Sequence, residues 1–258
     1  MSVPFLVDAH THTGEPGAFF APQSRADELL ALMDRLGIQR AISIHHRAIF
    51  APATHSLAED RQRFERSQGR IHYLGVFDPR CAQTCVTACR EASAWPGFAG
   101  LKIHPSMHGV AADDEAYAPA WRLAAELGRP ILTHTWSISG HNPVQYLSTP
   151  ARFERWVKQF PSVRLVVGHV GGRGGGRSEA VRLARDYPNV YVDFAGDIFC
   201  YRLIEDLVAQ VPVDKILFGS DFPWLDPRAH LTRVLLAEIP AEAKAKILGE
   251  NARKVYGL

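Results

Sequence analysis

The chain is poor in cysteine, has no long apolar run and carries no excess of charge of one sign. Four cysteines among 258 residues do not make a disulfide framework, so reduced thiols and a cytoplasmic address are the expectation. No stretch approaches the roughly 18–20 apolar residues that cross a bilayer, which argues against a membrane partner. Met1-Ser2-Val3-Pro4 has neither the basic start nor the apolar core of a secretory leader, so no signal peptide is expected. Lys+Arg number 29 against 27 Asp+Glu, a net charge of +2. That near balance argues against nucleic acid held by bulk electrostatics. There is also no linker, low-complexity tract or short repeat.

What is present is an alternation. Short β-branched and apolar runs occur at Phe5–Asp8, Arg40–Ile44, Ile71–Phe77, Gly100–His104, Pro130–His134, Val163–His169, Val190–Phe194 and Ile216–Ser220. Between them lie segments with helical spacing, among them Ala26–Leu36, Ala116–Leu127, Ser178–Tyr187, Ile204–Val211 and His230–Glu238,. Gly37 and Gly128, and Pro161, Pro188 and Pro212, stand between a helix and the next strand as stop signals,. A last helix is expected over Ala241–Tyr256. Strands alternating with helices point to parallel βαβ units. Eight such units in about 250 residues point to an α/β fold of the closed (β/α)8 TIM-barrel type, with residues 1–258 as one domain,. An open dinucleotide-binding sheet needs a glycine fingerprint after the first strand. Asp8-Ala9-His10-Thr11-His12 stands there instead. Cys81, Cys85 and Cys89 recur every four residues and read as a small buried helix stripe rather than a metal or redox site.

The chemistry is carried by the strand ends. His10 and His12 are two apart on an extended segment, so both point to one side and can bind one metal ion together; Asp8 shares that side,. His134 ends the fifth strand, His169 ends the sixth, and Asp221 follows the eighth. In a closed parallel barrel all strand ends meet at one rim, so these residues converge although distant in sequence. Histidines and a carboxylate suit zinc or a similar divalent ion. On the fourth strand, Gly100-Leu101-Lys102-Ile103-His104, alternation turns Lys102 and His104 inward,. A lysine inside a barrel needs a partner. It can pair with an acid such as Asp221, hold a substrate carboxylate, or carry a carbamate that bridges two metals. His104 is a candidate substrate ligand or a loop anchor. Arg47, Arg173 and Arg177 follow strands and can clamp a carboxylate or hold loops, and Arg173 lies in the glycine run 171–176,. Trp136, Phe222 and Trp224 stand near the proposed ligands as pocket walls or packing,. His45 and His46 end the second strand, where one can reach substrate. His72 reads as structural, and His55, His108, His141 and His230 are weaker candidates.

Asp8–His12, Gly100–Pro105, His169-Val170-Gly171-Gly172, Phe218-Gly219-Ser220-Asp221-Phe222-Pro223 and the closing Ile247–Tyr256 together resemble the amidohydrolase-related (amidohydrolase 2) branch of the amidohydrolase superfamily. The resemblance spans nearly the whole chain in the expected order. It implies that His10, His12, His134 and Asp221 bind a divalent metal, zinc or in its place manganese. Asp221 would also handle the reacting water's proton, and His169 would bind metal or act as acid, base or electrostatic stabiliser. Lys102 matches the fourth-strand position loosely. The implied activity is hydrolysis of a small amide, ester or lactone by a metal-activated water. Non-oxidative decarboxylation of a small acid on the same site is the alternative. A metal-binding barrel without activity is a third reading. The partner expected is a small-molecule substrate, and a homo-oligomer is left open.

Overall fold

The structure is a computed structural model, and it describes residues 5–15, 21, 24–50 and 56–258. The expectations for Met1–Pro4 and His55 lie outside the described residues. Eight parallel strands form one sheet in sequence order: β1 (Leu6–Thr13), β2 (Ile38–His45), β3 (Ile71–Val76), β4 (Phe98–Ile103), β5 (Ile131–Thr133), β6 (Leu165–Val167), β7 (Val190–Asp193) and β8 (Ile216–Leu217). Each is hydrogen-bonded to the next in parallel register. The chain after β8 returns to β1 and closes the ring. Ala9 N–H donates to Phe218 O at 2.9 Å, Asp221 N–H to His10 O at 2.8 Å and His12 N–H to Phe222 O at 2.6 Å. This is the expected TIM barrel.

The helices form because their apolar residues recur every three or four positions and face the sheet. In α1 (Ala26–Leu36), Leu29 and Met33 are buried, a burial that stabilises by about 1.5–3 kcal/mol per side chain. Gly37 ends α1 with φ at 70°, where its N–H reaches Met33 O. A side chain there would strain the left-handed backbone. A short helix, α2 (His46–Phe50), follows β2 directly, and α3 (Leu57–Arg66) lies beyond it. In α4 (Ala82–Ala92), Cys85 and Cys89 are buried against the sheet. Cys81, on the turn before it, lies 3.5 Å from Cys85 sulfur to sulfur. His72 opens β3 with its ring against Phe64, 5.1 Å between centroids.

Two strands, β6 and β8, fall furthest short of their apolar runs. β6 stops at Val167 because the next residues turn: His169 and Val170 take φ of 60° and 41°. β8 stops at Leu217, and Asp221 then takes φ of 66°. The closing segment Ala241–Tyr256 is helical throughout but contains a π-helical turn, Lys246–Glu250. Phe218 N–H reaches Ile247 O in that turn at 2.9 Å, which ties the end of the chain to the last strand. No described helix is long and apolar enough to cross a membrane.

Candidate active site

At the C-terminal rim, β1 supplies three inward polar side chains in succession. Asp8, His10 and His12 are all buried. His10 Nδ1 lies 3.0 Å from Asp193 Oδ2 at the end of β7. Nδ1–H donates to that carboxylate, which leaves the Nε2 lone pair as the ring's free edge. His10 Nε2 is 3.7 Å and His12 Nε2 3.2 Å from Asp221 Oδ1. Burial drives the His10 imidazole down to about 4 and lowers His12 as well, so both rings stay neutral. Burial alone would raise Asp221, but His169, His12 and His10 around it hold its carboxyl well below the usual carboxylate range,. Asp8, deeper in the barrel, is pushed up to about 7 by burial. Its Oδ1 accepts from the backbone N–H groups of Ser220 and His10 at 3.0 and 3.3 Å.

The backbone that presents these groups is specialised. His169 and Asp221 both occupy the left-handed region, at a cost of about 1–3 kcal/mol each. The turn at His169 is held by its N–H on Asp193 Oδ1 at 2.8 Å and by its Nδ1 at 3.0 Å from Ala195 O. Gly196 faces that ring: a Cβ there would meet His169 Nδ1 at 2.7 Å. Gly219 likewise leaves room for His10, whose Cβ would lie 2.9 Å from an added Cβ. Glycine at these two positions lets the chain pass close behind the imidazoles.

Among the described residues two groups have the spacing of a cation site: His10, His12 and Asp221, and His10, His169 and Asp193, with ligand atoms in each within 4.8 Å of one another. The first fits a divalent cation on its own chemistry. Two neutral imidazole nitrogens and an ionised carboxylate converge, and the carboxylate behind His10 fixes the tautomer that ligation requires. His12 Nδ1 is buried without a partner. Lys102 Nζ, from β4, lies 3.2 Å from His10 Nε2. Its pKa is pushed down to about 8 by burial, against the opposing pull of Asp193 and Asp221.

The other sequence candidates are placed as follows. His134 and His169 lie 4.9 Å apart by ring centroid, and His10 and His169 are equally close. His134 stands outside both clusters, with Nε2 3.1 Å from Gln145 Oε1. His104 stacks on it at 4.1 Å with the rings 8° from parallel. Lys102, His104, His134, His169 and Asp221 line one cavity of about 510 Å³ with Trp136 and Trp224. Phe222 is instead packed in the core. Arg173 does not line this cavity; it is exposed and its guanidinium is paired with Asp197 at 2.8 Å. Arg177 pairs with Asp206, and Arg47 is exposed on α2. His45 is tied to Glu59, His108 to Tyr117 and His230 to Gly196 O. His46 lines the cavity, stacked on His12 at 4.9 Å.

Two groups escaped the sequence reading. Asp193 is an acid at the end of a strand on the same rim as the histidines, and that position was its signal. Gln145, in a 3-10 turn at Pro143–Ser148, had none. Of the expected pair His45 and His46, the fold turns His46 to the cavity and ties His45 to Glu59.

A barrel whose strand ends gather imidazoles around a buried, ionised carboxylate is the architecture of an enzyme, with the reacting groups at the rim where the βα loops begin. Residues 7–258 match the family described as Amidohydrolase, and the chain belongs to that family. It is therefore an enzyme of the amidohydrolase superfamily. It is 24% identical over 285 residues to a 4-sulfomuconolactone hydrolase of Rhizobium radiobacter, covering 97% of this chain and 89% of that protein. Its fold is similar to that of 5-carboxyvanillate decarboxylase from Sphingomonas paucimobilis, with a TM-score of 0.76, 14% identity, and 99% of this chain and 100% of that chain covered. A dihydroxybenzoic acid decarboxylase from Polaromonas sp. JS666, solved with bound manganese and 2-nitroresorcinol, is similar at a TM-score of 0.79 and 15% identity. There the likeness covers 99% of this chain and 98% of that one.

Proposed function

We propose that this enzyme hydrolyses a small carbonyl substrate: a lactone, an ester or an amide. The observation that carries the reading is Asp221, a buried and ionised carboxylate 3.2 Å from His12 Nε2 that also lines the cavity. His10, His12 and Asp221 would hold a divalent cation, zinc or manganese. His134, whose Nε2 meets Gln145 Oε1 at 3.1 Å in this structure, would add a fourth donor. Such a cation supplies Lewis acidity and lowers the pKa of a water at the site toward ~7. Asp221 then accepts the proton of the attacking water and returns it to the leaving oxygen or nitrogen. His169, its Nδ1 turned to Ala195 O, presents Nε2 to orient that water. Lys102, whose Nζ lies 3.2 Å from His10 Nε2, would donate to the carbonyl oxygen as charge builds on it. The curated relative's name, a lactone hydrolase, supports this reading.

Decarboxylation of a small acid is the second reading. Its support is the likeness of fold to several decarboxylases. One assay separates the two on a panel of lactones, esters and aromatic acids. Release of a new acid group, followed by titration, supports hydrolysis. Release of CO₂ without hydrolysis of any carbonyl compound would replace it with decarboxylation.

A further inference from the structure

Beyond the reacting groups, the cavity is lined by acceptors, amides and rings rather than by cations. Lys102 is the one Lys or Arg side chain on its wall among the described residues, and it belongs to the floor with His10. The residues outside the description contain no Lys or Arg, so they add no cation to it. Arg173 is spent on Asp197. An anion at the far end of a substrate would therefore have no guanidinium to replace the water it loses.

His46 lines the same cavity beside the proposed reaction centre. Its Nδ1 lies 2.8 Å from Gly14 O, and a carbonyl can only accept, so Nδ1 carries the proton. Nε2 is then a bare acceptor, and it is buried with no hydrogen-bond partner. A buried acceptor left unpaired costs about 1–3 kcal/mol, which a ligand donor recovers on binding. The ring is one layer from the proposed reaction centre, stacked on His12 with the planes 6° apart. Trp224 fixes it edge-on at 4.7 Å.

We infer that the substrate carries a neutral hydrogen-bond donor, a hydroxyl or an N–H, that pairs with His46 Nε2, and no second anionic group. This rests on the hydrolase reading only in assuming that the reacting carbonyl sits over the His10–His12–Asp221 cluster. His46 is a specificity-determining residue in this account, not a catalytic one.

The test is calorimetric titration of the metal-loaded enzyme with three probes of equal chain length: 5-hydroxypentanoate, pentanoate and pentanedioate. The expected result is binding of the hydroxy acid at least ~10-fold tighter than either of the others. In His46→Phe, which keeps the stacked ring, the hydroxyl preference disappears. In Leu225→Arg, which adds a cation to the cavity wall, pentanedioate gains affinity. Pentanedioate binding as well as the hydroxy acid to the wild-type enzyme, or no difference among the three probes, would overturn the inference. Failure of the hydrolase reading shows separately, as no acid release from any lactone or ester while the probe preference persists.

Discussion

Asp193 Oδ2 lies 3.0 Å from His10 Nδ1, both side chains fully buried. This pair sets the tautomer of the ring that faces Asp221. The other oxygen of the same carboxylate accepts the N–H of His169 at 2.8 Å, so one acid from β7 positions histidines from β1 and β6 together. Asp193 is a positioning residue. Asp193→Asn keeps its volume and an acceptor oxygen but removes the charge that makes His10 a better ligand. The expected outcome is metal affinity lowered ~10–100-fold with the fold intact, read by competition with a chelating dye. Unchanged affinity would mean that His10 is not a ligand or needs no anionic support.

Lys102→Met takes a buried cation away from His10. Metal affinity should hold or rise, because a positive charge beside the site is gone. Turnover should fall ~10²–10³-fold, the usual loss when a donor to a developing oxyanion is removed. Metal stoichiometry measured beside kcat separates this from the carbamate alternative. A drop from two ions per chain to one on substitution would make Lys102 a bridging ligand and sink its role as donor.

Much of this was legible in the sequence. All eight strands were visible as apolar runs because each is buried on both faces, and α1 lies where its spacing puts it. His10 and His12 were readable from their two-residue spacing, and His169 and Asp221 from their places after strands. The pairing of His10 with Asp193 was not, because 183 positions separate them and only barrel closure joins β1 to β7 through β8. Arg173 was readable as a guanidinium near the rim, but its tie to Asp197 depends on a loop that no periodicity describes. The strand ends were overestimated at β6 and β8 because the turns that follow place His169, Val170 and Asp221 in the left-handed region with no glycine at those positions to signal it,. Tertiary hydrogen bonds impose them.

Acid should destabilise the fold steeply. His45, His72 and His108 lie in neither cation cluster, and burial drives each down to about 4. In the unfolded chain each takes up a proton near its ordinary value of 6.5. Between about pH 6.5 and 4 the unfolded state therefore binds more protons than the folded one, and stability falls with pH. Each such group contributes up to about 1.4 kcal/mol per pH unit in that window. Urea unfolding midpoints measured from neutral pH down to ~4.5 should fall continuously below 6.5. A midpoint flat across that range would show that these rings are charged in the folded protein.

Asp221→Asn removes the proposed proton acceptor while keeping the side chain's shape. Because Asp221 is also a proposed ligand, metal affinity should fall as well; on metal-saturated enzyme the loss of the carboxylate should lower kcat ~10²–10⁴-fold, and the variant should fold normally. A variant that retained most of its turnover would move the base elsewhere, with His169 the next group to test.

The most direct measurement is the metal content of gently purified enzyme, taken alongside activity for the wild type and for His10→Ala/His12→Ala. About one divalent ion per chain, lost with activity in the double variant and restored to the wild-type enzyme after chelation and reloading, is the result predicted here. Full activity in metal-free, chelator-treated enzyme would contradict the account and leave Asp221 and the histidines to work without a cation.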